Sequence, residues 1–419
     1  MRSFIKQARN SVSRILFIIY LIFSQVIRSL VFNNSSLSAI IAYALLGIAL
    51  LTQVIEENKK IKPSNTMLLY ILFVFLEFIT SILVAQDKQK AFTYLVVLIE
   101  YLGSFYLIQR FVEKDKGIEF VSAAFILLAF VMSVATISRG TEVYSRLSIA
   151  ESTNSNSVGV VMMFGIAFAL LRFIRADKSI KNIMLFLIFL LPCIYVLVLT
   201  VSKKAIIGTV ILLIGWAIIC YGKAFSRIHV FLRILILAMF IGLGFFAFRW
   251  FVGTQTSSYQ YILFRFNSLN DLSVDRSSGE RLALIKEGFL VFLNHPIIGV
   301  GYNNYRYYSN YGLYTHCFYI EMLACTGVLG TIVFASPIVS SFTHYIPTLK
   351  HTSERDEWGL YERRYLFYMY IVLLIIAWTQ IIFYEFALMY MLAVFVSYIE
   401  MYRKHSAEIE PRGGLLYER

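Results

Sequence analysis

The sequence predicts an all-α polytopic membrane protein, a helical bundle of about twelve transmembrane helices with one large outer loop that contains an amphipathic helix. Of its 419 residues, 59% are hydrophobic, and the mean hydropathy is +0.71. A soluble domain is usually about 45–50% apolar even when glycine is counted. The apolar residues also form continuous runs of about 20, the length that crosses roughly 30 Å of hydrocarbon.

The chain is a series of apolar runs separated by short polar segments. We expect residues 1–402 to form a single transmembrane domain into which the outer loop 253–316 is inserted, and residues 403–419 to form a cytoplasmic tail. The last two spans are expected to form a hairpin with only Tyr384 and Glu385 between them. The predicted spans are Ile15–Phe32, Leu37–Ile55, Thr66–Ala85, Ala91–Val112, Ile118–Ile137, Ser157–Ile174, Ile183–Val201, Ala205–Tyr221, Val230–Val252, Cys317–Ile346, Leu366–Phe383 and Phe386–Tyr402.

The charge distribution predicts the orientation. With the N-terminus in the cytoplasm, the cytoplasmic segments hold roughly twice as many Lys and Arg residues as the outer segments. This bias accounts for the net charge of +13, so a nucleic-acid partner is not expected. An even number of spans places both termini inside. Many of the outer cations lie between Arg249 and Arg306, which indicates that this region needs positive charge.

The outer loop contains the predicted amphipathic helix. Its apolar residues recur at helical spacing, and this pattern suits a helix at the membrane interface. Proline cannot continue the helix, so we expect it to end before Pro296. The apolar positions are Leu282, Ile285, Phe289 and Phe292.

Two glycines and a run of tyrosines follow this helix. Gly299 and Gly301 permit a tight turn, or the close approach of the backbone to a ligand. The tyrosines between Tyr302 and Tyr314 suit an aromatic belt at the membrane interface, and they suit stacking on sugars equally well.

His316 opens the tenth predicted span. A histidine there can cap a helix at the interface, or it can act as a general base at the mouth of a pocket, because its pKa lies near neutral pH. Glu321 lies five positions further on, which is not expected to place it where it could orient the imidazole directly.

Cations also occur in other outer loops. Arg146 is either a solvated loop residue or a phosphate ligand, and a helix is expected to begin near Asn154 or Asn156. Lys203 and Lys204, in the turn between spans seven and eight, either extend to the interface or form a cationic floor for an anionic lipid head group. Because these loops lie on the same side of the bundle, they favour a shared anionic substrate.

No cofactor is expected. The sequence contains no D-x-D motif, no pair of histidines at helical spacing and no phosphate-binding loop. We therefore predict a process that needs neither a metal nor a bound nucleotide.

The ordered set of motifs resembles the O-antigen ligase and O-antigen polymerase superfamily, multispanning enzymes that act on sugars carried by undecaprenyl pyrophosphate. The resemblance rests on R-L-A-L-I-K-E-G-F-L-V-F-L-N-H-P-I-I-G-V-G and on T-H-C-F-Y-I-E-M-L-A-C-T-G-V-L-G. Residues 146–156 resemble the family's R…N-x-N segment, and residues 202–204 resemble its S-R turn, with Lys203 in place of arginine. Cys317 departs from the pattern, in which asparagine is common. The matching positions are Arg281, Pro296, Gly299, Gly301, His316, Glu321, Gly327 and Gly330.

The resemblance implies a GT-C-like fold and a set of roles. His316 would deprotonate an acceptor hydroxyl, and Arg146 and Arg281 would hold the pyrophosphate. The positions that would bind substrate are Arg276, Lys203, Lys204, Arg306, Glu321, Gly299 and Gly301.

The resemblance also implies a function, which we expect to be polymerisation of lipid-linked repeat units for capsule, exopolysaccharide or O-antigen at the outer face of a bacterial plasma membrane. The alternative is a ligase that transfers the glycan to lipid A-core or another acceptor. A polysaccharide flippase would also need a cationic cavity, but one large outer loop rather than two matched halves argues against it. The expected partners are undecaprenyl-pyrophosphate-linked oligosaccharide, membrane lipid and other polysaccharide assembly proteins.

Overall fold

The computed structural model describes residues 11–32, 35–57, 63–114, 116–139, 154–175, 179–226, 276–348 and 357–413. Over these ranges the regular secondary structure is helical, and nine of the helices are long and apolar enough to cross a membrane. The prediction of an all-α polytopic membrane bundle is confirmed. The ninth predicted span, Val230–Val252, and the first part of the outer loop lie outside the described residues, so the count of twelve stays a prediction.

The described helices follow the first eight predicted spans and the tenth closely. The π-helical residues Phe23–Ile27 interrupt the first of them. The helices are α1 (Val12–Leu30), α2 (Ser36–Glu57), α3 (Asn65–Val84), α4 (Lys88–Val112), α5 (Gly117–Arg139), α6 (Ser155–Arg175), α7 (Ile180–Leu199), α8 (Lys203–Ser226), α9 (Arg276–Asn294), α10 (Phe318–Thr348), α11 (Glu357–Ile376) and α12 (Phe386–Gly413).

The predicted two-residue connection between the last two helices is wrong. Helix α11 ends at Ile376 and α12 begins only at Phe386, with a short 3₁₀ turn at Ile382–Tyr384 between them. We call the intervening residues the 377–385 segment. Its side chains at Ile381 and Ile382 are nevertheless buried in the core. An apolar run therefore looked like a continuing helix, because periodicity alone does not separate buried irregular chain from a buried helix.

Helices α6 and α12 form the centre of the bundle. Nearly every described side chain of α6, and of α12 up to Ile399, is buried, as expected for helices that are apolar on all sides. The peripheral helices α2, α3 and α7 expose large apolar side chains, among them Leu51, Leu83 and Ile188. A lipid environment would cover these surfaces without cost.

Helix α10 is broken near its first third, and the chain between α9 and α10 fills the break. Gly327 has φ 61° and ψ −167°, far from helical values. The Pro296–Gly301 loop replaces the lost helical hydrogen bonds. Val300 N–H donates to Ala324 O at 3.0 Å, and Val328 N–H donates to the carbonyl of the loop's proline at 2.8 Å. The backbone of the loop and the backbone of the break therefore satisfy one another.

Glycine is required on both sides of this contact. A Cβ atom on Gly299 would lie 2.4 Å from the Cys325 carbonyl carbon, and one on Gly327 would lie 2.4 Å from Ile297 O. Both glycines also have positive φ, +67° and +61°, which other residues adopt only at a cost. The two backbones can touch only because neither residue has a side chain.

Gly330 is glycine for a different reason. The carboxyl group of Glu77, a fully buried residue of α3, occupies the space where a Cβ of Gly330 would lie, with Oε1 only 2.6 Å away. The absence of a side chain at Gly330 therefore permits close packing of α3 on α10.

We predict that Gly299→Ala and Gly327→Ala will lower the thermal unfolding midpoint in detergent far more than Gly312→Ala. Gly312 is a matched control, because its φ is also positive (+63°) but a Cβ added there would meet no neighbouring atom within 4 Å. The control loses only the positive-φ term of about 1 kcal/mol, whereas the other two variants must also separate the backbones. Equal shifts in all three midpoints would mean that the contact contributes nothing.

Candidate functional site

The predicted site residues that the structure describes gather at one end of the bundle, which we call the His316 end. Gly301 touches Ala85 at the end of α3. The Asn304 side chain accepts from Asp87 N–H at 2.9 Å, next to the start of α4. The polar loop between α9 and α10 therefore covers the ends of α3 and α4.

The backbone around His316 is held on both sides. Thr315 N–H donates to Glu321 Oε2 at 2.8 Å, and Phe318 N–H donates to Ala377 O at 2.8 Å. Between these two anchors His316 has φ 59°, the left-handed region. Such a conformation costs of order 1–3 kcal/mol and persists only where its surroundings impose it. The fold therefore gives up some stability to hold the His316 side chain in this position.

The surroundings of the imidazole keep it neutral. The His316 side chain is half-buried, and its ring centroid lies 4.1 Å from that of Tyr314. Burial, followed by the positive charges of Arg281 and Lys204, lowers the pKa of His316 to about 4. No hydrogen bond to this imidazole occurs within the described ranges. At neutral pH the ring is therefore unprotonated and has a nitrogen lone pair that can accept a proton.

Two of the predicted cations stand close enough to act on His316. Arg281 lies in the second turn of α9 and is exposed. Lys204 lies at the start of α8, where its Nζ donates to Thr379 O at 3.1 Å. The turn before it includes Val201 at φ 50°. Lys203 begins α8 and is half-buried. The structure therefore places Arg281 and Lys204 near enough to His316 for their charges to act on it.

Arg306 lies nearby on the same loop. Its guanidinium donates to Asn303 Oδ1 and lies 5.8 Å from the centre of the Tyr94 ring. Burial raises the pKa of Tyr314 to about 12, while the charges of Arg281 and Arg306 oppose this rise. Arg306 is therefore part of the same electrostatic environment, although its contacts are with the protein itself.

Glu321 lies beneath the site. It is 1% exposed, and its carboxyl group accepts from Thr315 N–H and from the Tyr384 hydroxyl, the latter at 3.2 Å. No contact between Glu321 and His316 occurs within the described residues, but Glu321 positions Thr315, the residue before His316. Its predicted role in substrate binding stays a prediction.

Gly299 and Gly301 have a packing role. Both are buried, and the atoms that surround them belong to Cys325 and Ala85 rather than to open space. The sequence left open a turn or the close approach of a ligand. Both glycines have positive φ, as a tight turn requires, and a Cβ at either position would collide with neighbouring protein atoms. Substrate binding by these glycines stays a prediction.

The 377–385 segment belongs to the site, although no motif in the sequence indicates this. Thr379 O accepts from Lys204, and Glu385 Oε1 accepts from Ser157 Oγ at 2.8 Å. With the bond from Phe318 to Ala377, the segment joins the starts of α6, α8 and α10. In the sequence, this segment shows only an acidic residue beside apolar ones, a pattern that is common at helix ends.

Two of the arginines predicted for the site cannot be placed from the described part of the chain. Arg146 lies outside the described residues, and so does the side chain of Arg276, whose backbone begins α9. The predicted helix start beside Arg146 is confirmed, because α6 begins at Ser155 and Asn154 Oδ1 accepts from Asn156 N–H at 2.9 Å. In the part of the chain that the structure describes, no three His, Cys, Asp or Glu side chains are grouped to hold a metal ion.

Residues 185–335 match the family model described as O-antigen ligase. The match includes most of α7, the whole of α8 and α9, and α10 through its break, and therefore contains Lys204, Arg281 and His316. It supports the O-antigen ligase and polymerase superfamily, so the resemblance found in the sequence is confirmed. No curated protein matches the chain. The 377–385 segment lies beyond the matched residues.

We predict that Arg281→Gln will raise the pKa of His316, because it removes one of the two positive charges that oppose protonation of the ring. The pH dependence of diethyl pyrocarbonate labelling at residue 316, followed by mass spectrometry, measures this, since only the neutral imidazole reacts. Lys286→Gln is the matched control, because Lys286 is exposed on the same helix and does not act on the ring. An unchanged labelling profile in Arg281→Gln would remove Arg281 from the surroundings of His316.

Proposed function

We propose, on the premise that residues 185–335 match the O-antigen ligase family, that the chain is a membrane glycosyltransferase that polymerises lipid-linked polysaccharide repeat units. The donor is a glycan on undecaprenyl pyrophosphate, and the acceptor is a hydroxyl group of another lipid-linked glycan. The observation that carries the proposal is a neutral histidine placed among cations, because transfer from a pyrophosphate needs both a base and positive charge.

His316 acts as the general base. Its neutral imidazole removes the proton of the acceptor hydroxyl as that oxygen attacks the anomeric carbon of the donor. The bond from that carbon to the pyrophosphate breaks on the opposite face, so the configuration inverts. The electron pair leaves with the pyrophosphate, and the proton remains on the imidazole until water removes it.

Arg281 and Lys204 stabilise the leaving group. As the bond breaks, negative charge grows on the phosphate oxygen that was joined to the anomeric carbon, and fixed cations lower the energy of that state. A guanidinium can bind two phosphate oxygens at once, whereas the lysine acts as a point charge. Arg146 and Arg276 are further candidates from the sequence.

The donor also adjusts the base. Burial, and after it the charges of Arg281 and Lys204, lowers the pKa of His316, so the free site contains a weak base. A bound pyrophosphate brings negative charge to the same cations and opposes their effect on the ring. The basicity of His316 therefore rises when the donor is present, and stray deprotonation in the empty site is suppressed.

The proposed setting is a bacterial plasma membrane, with the His316 end on the outer face and both termini in the cytoplasm. The bias of Lys and Arg along the chain supports this orientation. Helix α9 exposes Leu282, Phe289, Leu290 and Leu293, an apolar face that suits the interface near a lipid substrate. The reaction would hand its product to other polysaccharide assembly proteins.

Ligation of the glycan to lipid A-core or another acceptor is the second candidate, because the matching family model is described as O-antigen ligase. Ligation uses the same chemistry and differs in the acceptor. The products formed in cells, rather than the geometry of the base, separate the two.

We predict that cells lacking the native gene will make a ladder of polymer lengths when complemented with wild type, and only single repeats with His316→Ala. His344→Ala is the matched control and should restore the ladder, because His344 is exposed near the far end of α10. Gel electrophoresis of the polysaccharide measures this, at equal membrane levels of each protein. A full ladder with His316→Ala would remove His316 as the essential base. Long but unattached polymer in the deletion strain would instead favour the ligase.

We predict that Arg281→Gln will lower the rate at which purified protein lengthens lipid-linked repeats by about 10²–10³-fold, the usual loss for one group that stabilises developing charge. Lys286→Gln, on the exposed side of the same helix, should leave the rate within about twofold, because weak surface charges contribute little. A loss of equal size in both variants would indicate damage to α9 rather than loss of a pyrophosphate ligand. A wild-type protein that lengthens nothing would favour a transporter.

A further inference from the structure

Glu385 is an acidic side chain in a site otherwise dominated by cations. It lies at the last position of the 377–385 segment, just before α12, at the His316 end. Its side chain is half-buried rather than enclosed. The base and the leaving-group cations described above do not use it.

Its position is fixed by several elements. Glu385 Oε1 accepts from Ser157 Oγ of α6 at 2.8 Å, and the side chain of Gln380 also hydrogen-bonds to it. Lys204 contributes positive charge nearby. Burial is the largest influence on Glu385 and raises the pKa of its carboxyl group, and these three interactions oppose that rise. The carboxylate is therefore held in place before any substrate arrives.

Tyr314 links Glu385 to the base. The Tyr314 ring packs on that of His316 at 4.1 Å. After burial, the charge of Glu385 is the largest cause that raises the pKa of the Tyr314 hydroxyl. Glu385 and His316 thus both lie near one aromatic ring, and such a ring offers a flat surface for a sugar.

The charge of Glu385 indicates which substrate it faces. A carboxylate would repel the pyrophosphate of the donor, so it would weaken binding if it faced that group. It accepts hydrogen bonds well from neutral hydroxyl groups. The acceptor saccharide presents such hydroxyls close to the base that deprotonates one of them.

We infer that Glu385 binds hydroxyl groups of the acceptor saccharide beside Tyr314 and sets which acceptor is used. The inference rests on the proposed function, and it adds a residue outside the part of the chain that matches the family. It divides the site into a cationic half that binds the donor pyrophosphate and a carboxylate half that binds the acceptor sugar.

The test compares two binding measurements on full-length protein in detergent. One probe is undecaprenyl pyrophosphate without sugar, which reports the cationic half. The other is the repeat-unit saccharide released from its lipid by mild acid, which reports the acceptor half. The variants are Glu385→Gln, which keeps the shape of the side chain, and Arg281→Gln. Glu119→Gln is the control, because Glu119 lies at the start of α5, away from the His316 end.

Glu385→Gln should weaken binding of the free saccharide by at least about tenfold, the worth of a hydrogen bond to a charged group, and should change binding of undecaprenyl pyrophosphate by less than about twofold. Arg281→Gln should do the reverse. The inference is overturned if Glu385→Gln binds the saccharide like wild type, or if both probes weaken together. If wild type binds neither probe, the proposed function fails and the inference fails with it.

Discussion

The backbone contact between the Pro296–Gly301 loop and the break in α10 is the constraint on which the site depends. The loop donates to carbonyls that the broken helix leaves unpaired, and the helix donates back to the loop. Because α9 leads into this loop, the contact also fixes where α9 lies. A Cβ on Gly288 would meet the side chains of Ile320 and Thr315, so α9 packs directly on the residues that flank the base. The distance between the cation on α9 and the histidine before α10 is thus determined by backbone geometry.

Buried groups hold the strained backbone of His316 in place. His316 has a left-handed backbone, and the residues on both sides of it are tied to groups that are themselves buried. Glu321 holds Thr315, and the 377–385 segment holds Phe318. Each support lies in the packed interior, where a shift of one group would leave another without its hydrogen bond. A single rigid network therefore presents the imidazole, the lysine of α8 and the carboxylate of Glu385.

The helical bundle and the motif residues of the site could be predicted from the sequence, because continuous apolar runs and ordered motifs are local signals. The bounds of α3 to α8, the helical α9 and the grouping of Arg281, Lys204 and His316 follow from them. The 377–385 segment could not be predicted in this way. Its apolar residues Ile381, Ile382 and Phe383 are buried. The segment departs from an α-helix where it bonds to distant elements, which no local pattern reveals. The same holds for the glycines, where turn, ligand contact and backbone packing all favour the same residue type.

On the proposed function, the arrangement of charge explains how these structural features serve the reaction. In the free protein the cations and the base oppose each other, since burial and then positive charge hold the imidazole neutral and weakly basic. The donor relieves this opposition because its pyrophosphate is the anion that the cations lack. The group that must leave therefore also prepares the base that drives its departure. A site built in this way reaches its reactive charge state only when the donor is bound, whatever the identity of the sugar.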